Sequence, residues 1–126
     1  YYDNFHNRMD ANVYVSVSTE EKNPFYDPKD TPGTKELIVR RGAPVFFYGS
    51  YVEGRGESKA GLYLNGNLIK DYPSERCPGI PHRIFTRLDL ATEPFAELVK
   101  PNVIELKKFD AQGRITGAGL VRITSE

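Results

Sequence analysis

Tryptophan is absent from this chain of 126 residues, and methionine and cysteine occur once each. The charges also cancel, with 17 Lys and Arg against 17 Asp and Glu. Each shortage excludes something. A lone thiol, Cys77, closes no internal disulfide, so the core has to hold the fold. A zero balance lacks the cation surplus that a phosphate backbone demands, so nucleic acid is not an expected partner. No apolar run approaches the roughly 20 residues that span a membrane. Soft metal ligands are also scarce. His6, Cys77 and His82 are the whole set, and no Cys-x-x-Cys or His-x-x-x-His pair exists.

Three kinds of residue are plentiful. Eight tyrosines and seven phenylalanines supply aromatic bulk, while 11 glycines and 9 prolines are spread along the chain. Turn formers distributed this evenly suit many short elements in one domain.

The periodicity agrees. Val13, Val15 and Val17 alternate with Tyr14, Ser16 and Ser18, the period of a half-buried strand. Residues 19–34 hold three prolines and form a long loop, with Phe25 and Tyr26 expected to pin it down. Strands follow over 36–41 and 45–52, Phe47 and Tyr51 on one face and Phe46 and Tyr48 on the other. Asn65-Gly66 between Leu62-Tyr63-Leu64 and Leu68-Ile69 predicts a type I′ hairpin, because both central positions need positive φ. Residues 71–82 are a second proline-rich loop, and 83–90 alternate again. Ala91–Lys100 is the one helical candidate, with Thr92 as cap and Pro94 in the first turn. Strands over 102–109 and 114–123 complete an all-β, antiparallel sandwich of about eight strands with one short helix. Jelly-roll and immunoglobulin-like topologies both fit, the first favoured. All 126 residues are read as one domain.

The favoured topology rests on a resemblance. Tyr63-Leu64-Asn65-Gly66-Asn67-Leu68-Ile69, Leu88-Asp89-Leu90 and Leu98-Val99-Lys100-Pro101-Asn102-Val103-Ile104-Glu105-Leu106 occur in that order. This run over 61–109 resembles galactose-binding-like jelly rolls, the accessory domains of many secreted glycoside hydrolases. The resemblance implies a non-catalytic carbohydrate-binding module in an extracellular or periplasmic setting. Here Asn102 directly follows the proline, where the family often adds a glycine. A shorter run, Lys35 to Gly42, resembles a strand in the N-terminal immunoglobulin-like domain of animal transglutaminases and keeps that topology open.

Catalytic motifs are missing. Gly49-Ser50-Tyr51 is no nucleophile elbow, and Gly54-Arg55-Gly56 has no phosphate-loop spacing. The expectation is therefore no enzyme. Sugars offer apolar C–H faces and hydroxyl edges, which call for aromatic rings beside Asn or Arg. Tyr51, Arg55, Tyr72, Asn65 and Arg83 are the ligand-binding candidates, with Tyr26, Asn67 and Arg76 behind them. No cofactor is expected, with structural calcium as the exception, on Asp3, Asn4, Asp10 and Asn12 or on Asp27 and Asp30. The competing reading is a structural or protein-interaction domain, because Tyr and Arg also carry protein interfaces. Arg40, Arg41, Arg55 and Arg114 would then face the partner.

Overall fold

The computed structural model describes residues 13–30, 33–40, 42–52, 59–74, 81–97 and 101–125. Eight strands follow in chain order: β1 (Val13–Ser18), β2 (Glu36–Val39), β3 (Val45–Val52), β4 (Lys59–Leu64), β5 (Asn67–Tyr72), β6 (Pro81–Leu88), β7 (Asn102–Phe109) and β8 (Ile115–Ser125). They form a three-stranded sheet, β1-β3-β6, and a five-stranded sheet, β2-β8-β7-β4-β5.

Side-chain alternation drives the sheets together. Val13, Val15, Val17, Val45 and Phe47 point inward from the smaller sheet. Leu62, Leu64, Ile104, Leu106, Val121 and Ile123 point inward from the larger one, all fully buried. Two one-sided sheets in water have to cover these faces, and face-to-face packing does so. Gly49 marks a close approach between the layers. A Cβ there would lie 2.8 Å from Leu106 Cδ2 and 2.9 Å from Ile84 Cγ1.

The order is that of an immunoglobulin-like Greek key. The pairs β1-β3, β3-β6, β4-β7 and β7-β8 are antiparallel. With β1, β3, β4, β6, β7 and β8 lettered A, B, C, E, F and G, the sheets read A-B-E and G-F-C, the second extended by β5 beyond C. The β-sandwich expected from the sequence is present. Its topology follows the runner-up rather than the jelly roll.

Two further expectations are corrected. The sandwich is not wholly antiparallel, because β2 pairs parallel with β8, Glu36 opposite Arg122. The chain leaves the smaller sheet after β1 and joins the larger one as its edge. The helix expected over 91–100 is also not formed across its described residues, 91–97. Asp89 captures the entry: its carbonyl accepts from Thr92 and Glu93, and its side chain accepts from the Ala91 amide. Asn102 captures the exit, accepting from the Glu97 amide at 2.6 Å. Two turns thereby satisfy groups that a nascent helix would have to nucleate at a cost.

The Asn65-Gly66 turn behaves as expected, with φ of 51° and 87°. Its side chain does more. Asn65 Nδ2 donates to Phe95 O at 2.8 Å and to Asn102 Oδ1 at 3.0 Å, and Oδ1 accepts from the Val103 amide at 2.8 Å. Fully buried Asn102 also donates to Glu97 O. These two asparagines tie the hairpin, the 89–97 turns and the start of β7 into one unit.

Within the 19–34 loop, residues 19–30 lie on the outer face of the smaller sheet. Tyr26 packs edge-on against Tyr48 at 4.9 Å and donates to Ser16 Oγ at 2.9 Å. The Lys22 amide donates to Tyr48 Oη at 2.6 Å. Tyr26 pins the loop as expected; Phe25 does not, standing 81% exposed. Covered on both sides, β3 is buried along nearly its whole length.

Candidate binding site

One end of the sandwich is formed by the ends of β3, β5 and β7 and the starts of β4 and β6: Val52 is opposite Pro81, Ala60 opposite Tyr72 and Lys59 opposite Phe109. The register brings candidates together there. Tyr51 is opposite His82 across the β3-β6 ladder, and their rings stack at 5.1 Å with planes 20° apart. Tyr72 ends β5 opposite Ala60, so its ring points between the sheets. Its hydroxyl lies 3.5 Å from Thr86 Oγ1 on β6. Burial pushes the Tyr72 phenol above its ordinary value, while the Thr86 contact pulls the other way. Lys70 Nζ is 5.8 Å from the centre of the same ring.

Between the facing edges of β5 and β6 lies an open groove of about 510 Å³. Tyr51, Tyr72, His82 and Arg83 line it between Pro73 and Pro81. Tyr51 is 4% exposed, so it is the floor rather than a ring that a ligand can stack on. Tyr72 and Arg83 supply the walls. The guanidinium and imidazole give polar contacts beside the aromatic Tyr72 ring, which suits a polar ligand with apolar faces.

The other candidates are elsewhere. Asn65 belongs to the turn at the far end of β4 and β5, with both side-chain polar atoms engaged. Arg55, in the β3–β4 connection, falls outside the described residues, as do Cys77, Arg76, Arg41 and His6. Arg40 is exposed, and exposed Arg114 pairs with Asp110 at 3.2 Å. Asp3, Asn4, Asp10 and Asn12 likewise fall outside the description. Asp27 is spent on a turn, accepting from the Lys29 amide at 2.9 Å. Among the described residues no three His, Cys, Asp or Glu side chains gather in a metal-binding group. No helix there is long and apolar enough to cross a membrane.

Two features were not singled out from the sequence. A second groove of about 270 Å³ runs between the 21–26 segment and β6, walled by Tyr26, Tyr48 and Phe85 with Lys22 and Arg83 at its rim. Arg83 thus lines both grooves, and β6 is the ridge between them. The signal was the alternation Arg83-x-Phe85-x-Arg87, which in an edge strand sets all three on one exposed face. On β7, opposite Ala60, Lys108 is 5% exposed, and its Nζ donates to Val52 O at 2.8 Å. Burial holds this amine below its ordinary value.

No family model matches the chain, and no curated protein matches it. Solved structures do. The CARDB domain of a Pyrococcus furiosus protein, determined by NMR, superposes with a TM-score of 0.50 at 11% identity, covering 90% of this chain and 94% of that one. A crystal structure of that domain, in complex with di-metal ions, gives 0.49 at 12% identity over 90% and 91%. The fibronectin(III)-like modules of Clostridium thermocellum CbhA give 0.49 at 9% identity over 76% and 92%. At 11% identity the match at a TM-score of 0.50 is a likeness of fold alone; the immunoglobulin-like character of the β-sandwich stands on the strand order itself.

Proposed function

We propose that the domain is a non-catalytic binding module whose ligand is a neutral, hydroxyl-rich carbohydrate, held in the groove between β5 and β6. The observation that carries this reading is the convergence of Tyr72, His82 and Arg83 on one open groove floored by Tyr51. Such a groove suits an extended sugar chain lying across the edge, with hydroxyls meeting Arg83 and His82 and a C–H face meeting the Tyr72 ring. The balanced charge, 17 against 17, favours an uncharged ligand. An extracellular or periplasmic setting belongs to the same proposal.

Affinity electrophoresis through a panel of neutral polysaccharides tests it. At least one polysaccharide should retard the protein, and Tyr72→Ala and Arg83→Ala should each weaken retardation while the fold stays intact by circular dichroism. Mobility unaffected by every polysaccharide would overturn the proposal, as would retardation that both substitutions leave unchanged.

A further inference from the structure

Among the described strands, β6 is hydrogen-bonded to β3 alone. It pairs with β3 over its eight residues and is the edge of its sheet. Among the described residues no backbone hydrogen bond from outside that ladder reaches Pro81–Leu88. Along Arg83–Leu88 alternate residues point their N–H and C=O away from β3, and no described backbone group pairs with them there. In a constant-type immunoglobulin sheet this position holds a fourth strand beside E; here β5 belongs to the other sheet instead.

The edge is chemically marked. On its outer face stand Arg83, Phe85 and Arg87, all exposed. Phe85 is 45% exposed yet held in place, stacked on Phe46 at 6.0 Å and tilted against Tyr48 at 5.1 Å. The Arg87 guanidinium lies 5.9 Å from the Phe46 ring centre. Among the described residues neither arginine forms an ion pair. Lys22 adds a third cation at the rim of the neighbouring groove, against a single Glu21. The β5 edge of the larger sheet has neither this aromatic stack nor this excess of one sign.

We propose that β6 accepts a fourth strand from another protein: an extended peptide with the pattern acid–x–apolar–x–acid. Residues directly opposite on paired strands come within about 5 Å, so two carboxylates four positions apart meet Arg83 and Arg87. The apolar residue between them lies on Phe85. Main-chain hydrogen bonds give affinity, and these three side chains give the choice of sequence. A second copy of this chain is the wrong occupant. Antiparallel self-pairing about Phe85 would set Arg83 against Arg87 of the copy, and like charges directly opposite repel. The arginines that guard this edge against its own kind thereby select an acidic strand.

The test uses the full chain and three labelled peptides. The first is Ser-Glu-Thr-Val-Thr-Glu-Ser, the second replaces both Glu by Lys, and the third is the first with alternate backbone amides N-methylated, made in both registers. Fluorescence anisotropy should show binding of the acidic peptide that weakens with salt and exceeds the lysine peptide by about tenfold, as two exposed charge pairs provide. At least one N-methylated register should lose binding, and amide exchange should slow along 82–88. Arg83→Glu with Arg87→Glu should invert the preference. The proposal fails if no acidic peptide binds the folded protein, or if charge makes no difference. It fails equally if both N-methylated forms bind like the parent, or if β6 is protected by self-association alone. Arg87→Glu should leave polysaccharide retardation unchanged, and Tyr72→Ala should leave peptide binding unchanged, so the two proposals stand or fall separately.

Discussion

Replacing Asn102 by alanine should unfold this domain well before any surface change does. The side chain is fully buried and has three hydrogen bonds: from the Glu97 amide at 2.6 Å, to Glu97 O at 3.1 Å and from Asn65 Nδ2 at 3.0 Å. Each is worth about 1 kcal/mol net, and stranding the partners adds to the loss, so Asn102→Ala should cost about 2–4 kcal/mol. A domain of this size loses about 4 °C per kcal/mol, which places the melting temperature about 10 °C lower. Asn65→Ala removes a comparable set and also forces alanine to φ 51°. Because the two residues share one bond, the double variant should be less destabilised than the sum by about 1 kcal/mol. Urea and thermal unfolding followed by circular dichroism give all four corners of the cycle. An Asn102→Ala domain within about 0.5 kcal/mol of the parent would refute the reasoning, and so would strict additivity. Asn65→Ala should also leave polysaccharide retardation untouched, since the residue sits at the end opposite the groove.

Two further outcomes follow from packing and burial. Gly49→Ala should destabilise by about 1–3 kcal/mol in the same unfolding assay, since its methyl would press on Leu106 and Ile84. Lys108 gives a pH signature: its folded value lies below the ordinary 10.5, so the unfolded chain holds that proton more tightly. Stability should therefore rise with pH between the lowered value and 10.5, and Lys108→Met should lack that rise. The raised Tyr72 phenol works in the opposite direction in the alkaline range and is common to both proteins, so their difference isolates Lys108.

Much of the architecture was legible from local patterns. Period-two valines before Ser18 and the Asn65-Gly66 turn announced strands and a hairpin because alternation and positive φ are properties of neighbouring residues. Pairings between distant residues were not. Nothing within Glu36–Val39 declares that its partner is Arg122–Ser125, or that the pair is parallel. The helix over 91–100 was misread for the same reason: its competitor for the Glu97 amide is a side chain that only the folded chain brings near. At the site, Tyr51, Tyr72 and Arg83 were named from type and loop position, and all three line one groove between the two sheets. Asn65 looked equally suitable, and its polar atoms proved to be committed to residues 30 to 38 positions away. Phe85 and Arg87 passed as an ordinary half-buried strand, since a sequence does not say which strand ends a sheet.

The parallel pairing of β2 with β8 has a consequence for assembly order. The β2 segment is made early and its ladder partner is the last of the eight strands. Until β8 emerges, β2 lacks its ladder partner and β7 lacks the strand that stands opposite Ile104 and Leu106. A nascent chain stopped short of residue 115 therefore holds a sticky, incomplete layer rather than a smaller version of the domain. Closure is a single late event, and truncation from the C-terminal side should yield aggregate, not a partial fold.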